Sequence, residues 1–368
     1  MKVLIHFGAP KTGSTSLQES LASARYALEK NGVLFPDLSK VTGDPISARA
    51  HHLISPLFKD SDVWNQGELH RLGGHEKLLS AAEAAWAEVK RQIAEKEPKL
   101  LILSSEKFFG DIDSDAVKRF NMMLAEISPF IISVIYVRAP ADHYLSACQQ
   151  NIKHKFEFRQ PHPMECRKKI EYIREHLHSE LYVRGFEKNQ LVGNDLVVDF
   201  ITNYLSEYIS PKMVPTQIKN TSLSAEAMEL LHSYKHMPSN PKPEFKNRKV
   251  SKFLRKIIRH EKIIGGESSK PVLLPRLRAE INNASIELTW LQNEFNITFY
   301  NVNYANINGS PIKNLESYSG VRDIIEVNWK RRDEILFRIL EREMNVNPKK
   351  SILSKIFSIL RVIPPKNN

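Results

Sequence analysis

The stretch "KVLIHFGAPKTGSTS", residues 2–16, decides the fold of this chain. Its first six residues form an apolar run that is typical of a buried strand. Leu17, Leu21, Ala24 and Leu28 then share one helical face, which predicts a helix over residues 15–30. A buried strand, a Gly-containing turn and a helix, in this order, predict the opening of a parallel α/β unit.

The loop between this strand and helix has the composition of an anion-binding site. In the nucleotide-binding P-loop the lysine follows the second glycine, whereas here Lys11 precedes Gly13. Gly8 and Gly13 let the backbone approach an anion, and the amides of a helix N-terminus point toward it. Lys11 adds a positive charge, and hydroxyl donors come from Thr12, Ser14, Thr15 and Ser16. The alternative is a Gly-containing turn with no ligand.

Strands and helices continue to alternate up to about residue 205. Further strands are predicted over residues 99–104, 130–137 and 181–186, and further helices over residues 76–97, 115–127, 140–152 and 195–205. Apolar strands between amphipathic helices favour a central parallel sheet covered on both faces, that is, a P-loop-like three-layer α/β/α fold. Additional helices are predicted in the C-terminal half, over residues 225–234 and 276–295.

We predict a single domain over residues 1–368, with an α/β core at 1–210, a helical region at 211–345 and a basic amphipathic tail at 346–368. The tail stretch "SILSKIFSILRVI", residues 351–363, has one apolar stripe with lysines and arginines around it. It either docks on the body of the protein as a last helix or lies on an anionic membrane surface.

The composition restricts partner and compartment. Lys and Arg outnumber Asp and Glu by 53 to 42, and this net charge of +11 favours acidic ligands, polyanions or anionic membranes. Nine of the basic residues fall between Lys242 and Lys262. They form either a solvated face or a binding groove. Two cysteines exclude a disulfide framework, and the apolar runs are too short for a signal peptide or a membrane span. We expect a cytoplasmic protein, with the tail as its possible contact with the inner membrane face.

A second anion-binding element is predicted in "YVRAPADHYLSACQQ", residues 136–150. Arg138 closes a buried strand, and Ser146 follows eight positions later on the next helix. Open α/β sheets bind ligands at the edge where the strands end. A structural ion pair is the alternative role for Arg138.

These stretches resemble motifs of one enzyme family. "HFGAPKTGSTSLQ" is similar to the 5′-phosphosulfate-binding motif of the sulfotransferases that use 3′-phosphoadenosine 5′-phosphosulfate, and residues 136–150 are similar to their 3′-phosphate-binding motif. "LYVRGFEKNQLVGNDLVVDF", residues 181–200, resembles a further segment of bacterial members that act on carbohydrates. The resemblance spans residues 2–205.

The resemblance implies an enzyme that transfers a sulfonyl group to a hydroxyl of a saccharide or glycolipid and releases adenosine 3′,5′-bisphosphate. It places Lys11 at the sulfonate and the bridging oxygen, and Arg138 with Ser146 at the 3′-phosphate. It assigns the 5′-phosphate to Thr12, Gly13, Ser14, Thr15 and Ser16. Lys11 and the loop amides supply positive charge at the leaving phosphate, so no metal is required, although Glu106 and Asp111 keep a magnesium site open. No nucleic-acid partner is expected.

The acceptor hydroxyl must lose a proton, so a general base is needed nearby. Glu106 follows the strand in "LILSSEKFF", and related glycan sulfotransferases often use a Glu after this strand; a capping or ion-pairing role is its alternative. His52, in "ARAHHLISPLF", is the rival base, and His51 is a weaker candidate. His6 alternates within a buried strand, and we expect it only to hydrogen-bond backbone beneath the loop.

Two other functions stay open at this point. One is a P-loop kinase that uses ATP and Mg²⁺, against which the position of Lys11 argues. The other is a non-catalytic protein that binds polyanions or membranes through residues 242–262 and the tail.

Overall fold

The computed structural model describes residues 1–64, 66–217, 222–237, 247–265 and 270–346. They fall into two compact units, and each unit is discontinuous in sequence. The first comprises Met1–Ala139, the described part of Met164–Asn220 and Ile286–Tyr304. The second comprises Pro140–Pro163 and the described parts of Thr221–Ser285 and Ala305–Asn368.

The first unit is built on a parallel sheet of five strands: β1 Lys2–Phe7, β2 Val33–Leu34, β3 Leu100–Ser105, β4 Ile131–Val137 and β5 Ser179–Gly185. The strand order is β2-β3-β1-β4-β5, and every pairing is parallel. His6 of β1 lies opposite Ser104 of β3 and Val134 of β4, so these three strands end near the same level. The connection that leaves β1 runs toward β2, whereas the connection that leaves its neighbour β4 runs the other way, toward β5. Crevices between neighbouring strands whose connections diverge in this way are where open α/β sheets bind ligands.

Helices pack on both faces of this sheet. On one face Leu4 of β1 shares a buried cluster with Leu17 and Phe200, and on the other the ring of Phe7 contacts the ring of Phe120 at 6.2 Å between centroids. The α/β prediction is confirmed, and the layering is consistent with three layers. The helices of this unit are α1 Ser14–Ser23, α2 Arg25–Lys30, α3 Ser39–Thr42, α4 Gln66–Leu72, α5 His75–Lys96, α6 Ser114–Ala125, α8 Arg167–His176, α9 Leu196–Tyr204 and α13 Glu287–Phe295.

The second unit is helical, with α7 Pro140–His154, α10 Ala225–Lys235, α11 Asn247–Ile264, α12 Pro275–Ala284 and α14 Trp329–Val346. Its core is an apolar cluster that includes Tyr144, Met228, Ile257, Ile281 and Ile335. The additional helices predicted in the C-terminal half are therefore present. Among the described residues, no helix combines the length and apolar character needed to span a bilayer.

Two predicted helices are each broken into two. The helix expected over residues 15–30 is α1 and α2, separated at Ala24, where no Gly or Pro marks the break. The helix expected over residues 276–295 ends at Ala284, because the Ser285 hydroxyl donates to the Ile281 carbonyl at 2.7 Å and the backbone leaves the helical conformation. Its continuation, α13, belongs to the first unit.

Two predictions fall partly or wholly outside the described residues. The basic segment 242–262 is described from residue 247 onward, as α11. The amphipathic stretch 351–363 of the predicted tail lies outside the described residues.

Candidate active site

The loop from Gly8 to Gly13 joins the carboxyl end of β1 to α1 in a constrained conformation. Lys11 has φ of 66° and Gly13 has φ of 80°, so both adopt the left-handed region. The Thr12 hydroxyl donates to the Ala9 carbonyl at 2.6 Å and fixes the turn. A left-handed lysine is uncommon, and backbone conformations of this kind concentrate at functional sites.

The N-terminus of α1 presents donors at the end of this loop. Gly13 is the N-cap residue, no side chain caps the helix, and its first turn contains no acidic residue. The Ser14 hydroxyl is buried, and it has no hydrogen-bond partner among the described residues. First-turn amides that no side chain caps and a buried hydroxyl form an arrangement that suits an anion.

Glu106 lies directly against this loop. It follows β3 at the start of a 3₁₀ turn, Glu106–Phe108, and the Gly8 amide donates to the Ser105 carbonyl at 3.0 Å. A β-carbon on Gly8 would lie 2.8 Å from Ser14 Oγ and 3.1 Å from both Cα and Cγ of Glu106. Only glycine therefore lets the loop and the turn approach this closely.

The electrostatics of Glu106 suit a general base. Its side chain reaches solvent, but protein atoms surround it closely enough that desolvation raises its pKa above the usual value. The charges of Lys11 and Lys107 act in the opposite direction. Lys11 and Glu106 are therefore close enough for their charges to interact. A site that uses a cation together with a base requires such proximity.

Arg138, directly after β4, contacts the same loop. Its Nη1 donates to the Lys11 carbonyl at 3.0 Å, and its guanidinium carbon lies 5.6 Å from the centre of the Phe186 ring. Gly13 also packs here, since a β-carbon on it would lie 3.2 Å from Phe186. Ser146 is on α7 in the second unit, so the pairing of Arg138 with Ser146 at one phosphate stays a prediction.

The structure gives two of the histidines structural positions. His6 is buried beneath the loop with its Nδ1 2.8 Å from Ser104 Oγ, so its partner is a hydroxyl and not the backbone we expected. His51 uses both ring nitrogens, because the Ser104 amide donates to Nδ1 at 2.9 Å and Nε2 lies 3.1 Å from the Pro36 carbonyl oxygen. Burial lowers the pKa of each to about 3.

His52 is half-buried in a 3₁₀ turn, His52–Leu57. Burial lowers its pKa to about 4, with smaller effects in the same direction from the charges of Lys107 and Arg49. A histidine in this environment is neutral at physiological pH and is a weak base. His52 lies near Lys107 and therefore near Glu106. Of the two candidate bases, Glu106 is the one in direct contact with the loop.

Sequence reasoning missed Lys107 and Phe186 as parts of this site. Lys107 is adjacent to Glu106, and Phe186 lies within the segment 181–200 that carried the family resemblance. Across the described residues, no group of three or more His, Cys, Asp or Glu side chains is placed to hold a metal ion.

Comparisons of the chain with protein-family models, with curated proteins and with solved structures found no match.

Proposed function

We propose that this protein is a sulfotransferase with a P-loop-type α/β core. It moves a sulfonyl group from 3′-phosphoadenosine 5′-phosphosulfate to a hydroxyl of a polysaccharide or glycolipid. The observation that carries the proposal is the neighbourhood of Lys11 and Glu106 beside the uncapped N-terminus of α1. A cation, a base and an anion-binding helix end meet at one sheet edge.

The donor is held by the loop. The amides of the first turn of α1 and the buried Ser14 hydroxyl bind the 5′-phosphate, with Thr12, Thr15 and Ser16 near it. Arg138 binds the 3′-phosphate, which distinguishes this donor from ATP. The contact of Arg138 with the Lys11 carbonyl supports this role, because it holds the guanidinium beside the loop. The motif resemblance assigns Ser146 to the same phosphate.

In the reaction, the acceptor oxygen attacks the sulfur in line with the bridging oxygen of the donor. The bond from sulfur to the bridging oxygen breaks, and adenosine 3′,5′-bisphosphate leaves with that electron pair. The Lys11 ammonium stabilises the negative charge that grows on the leaving oxygen. Glu106 takes the proton of the acceptor hydroxyl. Its raised pKa makes it a stronger base than an ordinary carboxylate.

The saccharide acceptor is supported by the segment resemblance at residues 181–200 and by the net charge of +11, which attracts acidic glycans. A kinase has less support, because the lysine precedes Gly13 and does not follow it.

Calorimetric titration of the full chain tests the proposal. Adenosine 3′,5′-bisphosphate should bind without Mg²⁺ and more tightly than ADP. Lys11→Ala should weaken it at least about tenfold, since a charge-assisted contact is lost, whereas Lys118→Ala on the exposed side of α6 should not. Tighter binding of ADP that requires Mg²⁺ would favour a kinase. Lack of any effect from Lys11→Ala would favour a non-catalytic protein.

A further inference from the structure

The outward side of α11, in the second unit, is basic along its whole length. The apolar side of this helix, which includes Val250, Phe253 and Ile257, packs into the core of the unit. The opposite side presents exposed cations at spacings of three and four residues, and we call it the basic face: Lys249, Lys252, Arg255, Arg259 and Lys262. Residues at these spacings share one side of a helix. They form a stripe about 20 Å long, at a rise of about 1.5 Å per residue.

The basic face has no acidic residue to balance it. The one acidic residue of α11 is Glu261, which turns to the packed side and accepts a hydrogen bond from the buried Ser224 hydroxyl. Among the described residues, none of the five cations of the basic face forms an ion pair. By contrast, Arg91 on exposed α5 pairs with Glu88 at 2.8 Å and with Glu95 at 2.7 Å. A helix face that is only solvated usually carries both signs, whereas a row of one sign attracts an oppositely charged partner.

The neighbouring helix α14 adds to this positive field. The C-terminal end of α11 lies beside the start of α14, where Arg331 donates to the Gly265 carbonyl at 2.9 Å. Burial lowers the pKa of His260 on α11, and the charges of four cations lower it further: Arg342, Arg259, Arg338 and Lys256. One of them, Arg338, also pairs with Glu334 at 3.3 Å. Cations from two helices therefore lie close together in the second unit.

An exposed isoleucine lies on the same side of the helix as these charges. Ile263 is 54% exposed, one turn after Arg259 and next to Lys262. At the surface of a bilayer, such a side chain is buried among the headgroups while the cations beside it contact the phosphates. Phe253 stacks on Tyr234 at 4.2 Å between ring centres, so this ring is not free to stack on nucleic-acid bases. These two features favour a membrane over a nucleic acid.

We propose that the basic face docks this protein on a membrane that contains anionic phospholipid. Its lysines and arginines lie at the headgroup phosphates, and Ile263 enters the headgroup layer. Because the apolar side of α11 is already buried in the core, the attraction is mainly electrostatic, and it is therefore reversible and sensitive to salt. The proposal is independent of the sulfotransferase assignment, because it uses no residue of the proposed donor site.

The test measures cosedimentation of the full chain with vesicles. Vesicles of phosphatidylglycerol and phosphatidylcholine in equal amounts should bind the protein, vesicles of phosphatidylcholine alone should not, and added salt should release it. A double variant, Lys252→Gln with Arg259→Gln, should lower the partition coefficient at least about tenfold, since each basic residue near such a surface contributes roughly fivefold. The matched double variant, Lys90→Gln with Lys118→Gln, removes two exposed lysines from α5 and α6 and should bind like wild type.

The isoleucine has its own variant. Ile263→Ser should weaken binding to the anionic vesicles at least about threefold, because apolar contact with the headgroup layer is lost. Ile286→Ser, at a position that is 60% exposed in the first unit, should leave this binding unchanged.

Three results would overturn the proposal. The first is absence of binding to the anionic vesicles, and the second is equal binding by the α11 double variant and wild type, which would place the membrane contact on another surface. The third is binding of heparin or duplex DNA that the α11 double variant loses, without binding to vesicles, which would identify a polyanion site instead.

Discussion

Arg138 holds the backbone of Lys11, with Nη1 of the guanidinium 3.0 Å from the lysine carbonyl oxygen. The contact links the end of β4 to the loop that follows β1. The arginine predicted to bind the 3′-phosphate therefore also supports the loop predicted to bind the 5′-phosphate. Loss of this side chain should affect both ends of the donor.

We predict that Arg138→Ala weakens binding of adenosine 5′-monophosphate modestly, because the loop loses one support. It should weaken adenosine 3′,5′-bisphosphate at least about tenfold more, because a charged partner of the second phosphate is also lost. Calorimetry with both nucleotides measures the difference, with Arg91→Ala on exposed α5 as the control. Equal losses of affinity for the two nucleotides would show that Arg138 supports the loop and does not bind the 3′-phosphate.

Gly8→Ala should destabilise the protein and impair donor binding together. The new β-carbon would lie 3.1 Å from Glu106 Cα, and the backbone on both sides has little room to yield. Overpacking of this kind costs about 1–3 kcal/mol, measured as the free energy of unfolding in denaturant. Gly110→Ala is the matched control, because its β-carbon would meet only the Glu106 carbonyl oxygen, at an ordinary 3.6 Å. Similar losses in both variants would contradict the close approach at Gly8.

Glu106→Gln should retain binding of the bisphosphate but reduce turnover by roughly 10²-fold or more, because no carboxylate remains to take the proton of the acceptor hydroxyl. A general base works when deprotonated, so wild-type activity should rise with pH through the pKa of Glu106. That pKa is raised above 4.5 by desolvation, so the acid limb of kcat/KM should lie above 4.5 and should be absent in the variant. An unchanged turnover would move the base to His52.

Lys59 should make stability depend on pH at alkaline values. Its pKa is about 8 in the folded protein, against 10.5 for an unperturbed lysine, so the folded state releases this proton first. The cost of burying the charged form is then fully present below pH 8 and is relieved as pH rises toward 10.5. The free energy of unfolding of Lys59→Met should exceed that of wild type by the largest margin below pH 8. That margin should shrink by on the order of 2–3 kcal/mol by pH 10.5. Denaturant unfolding of both proteins across this range gives the comparison, and a constant difference would show that Lys59 does not titrate there.

The strands could be predicted from sequence because buried parallel strands are short apolar runs. Residues 2–7 and 130–137 were located to within one residue of β1 and β4. β2 was not predicted, because Val33–Leu34 is only two residues long and has no periodicity of its own. The breaks at Ala24 and Ser285 were not predicted, because neither position is Gly or Pro and only local hydrogen bonds accompany them.

The site was predictable where it follows strand ends. Lys11, Glu106 and Arg138 each come just after a strand, and parallel strands bring such residues to one edge. The cleft lined by Lys59, Trp64 and Lys107 was not predictable in this way. Lys59 and Trp64 lie in an irregular segment with no repeating pattern, and only the packing of that segment against the turn after β3 brings them to Lys107.

The central position of β1 in the strand order has a consequence for how the protein folds. Its two partners, β3 and β4, both lie far along the chain, as the separation of 98 residues between His6 and Ser104 illustrates. Such long-range pairing slows folding, because large loops must close before the contacts that stabilise them exist. We expect the loop after β1 to reach its final conformation only when both neighbouring strands have paired. A fragment that ends before β4 leaves one side of β1 without its partner, so tests of the proposed donor site need the intact chain.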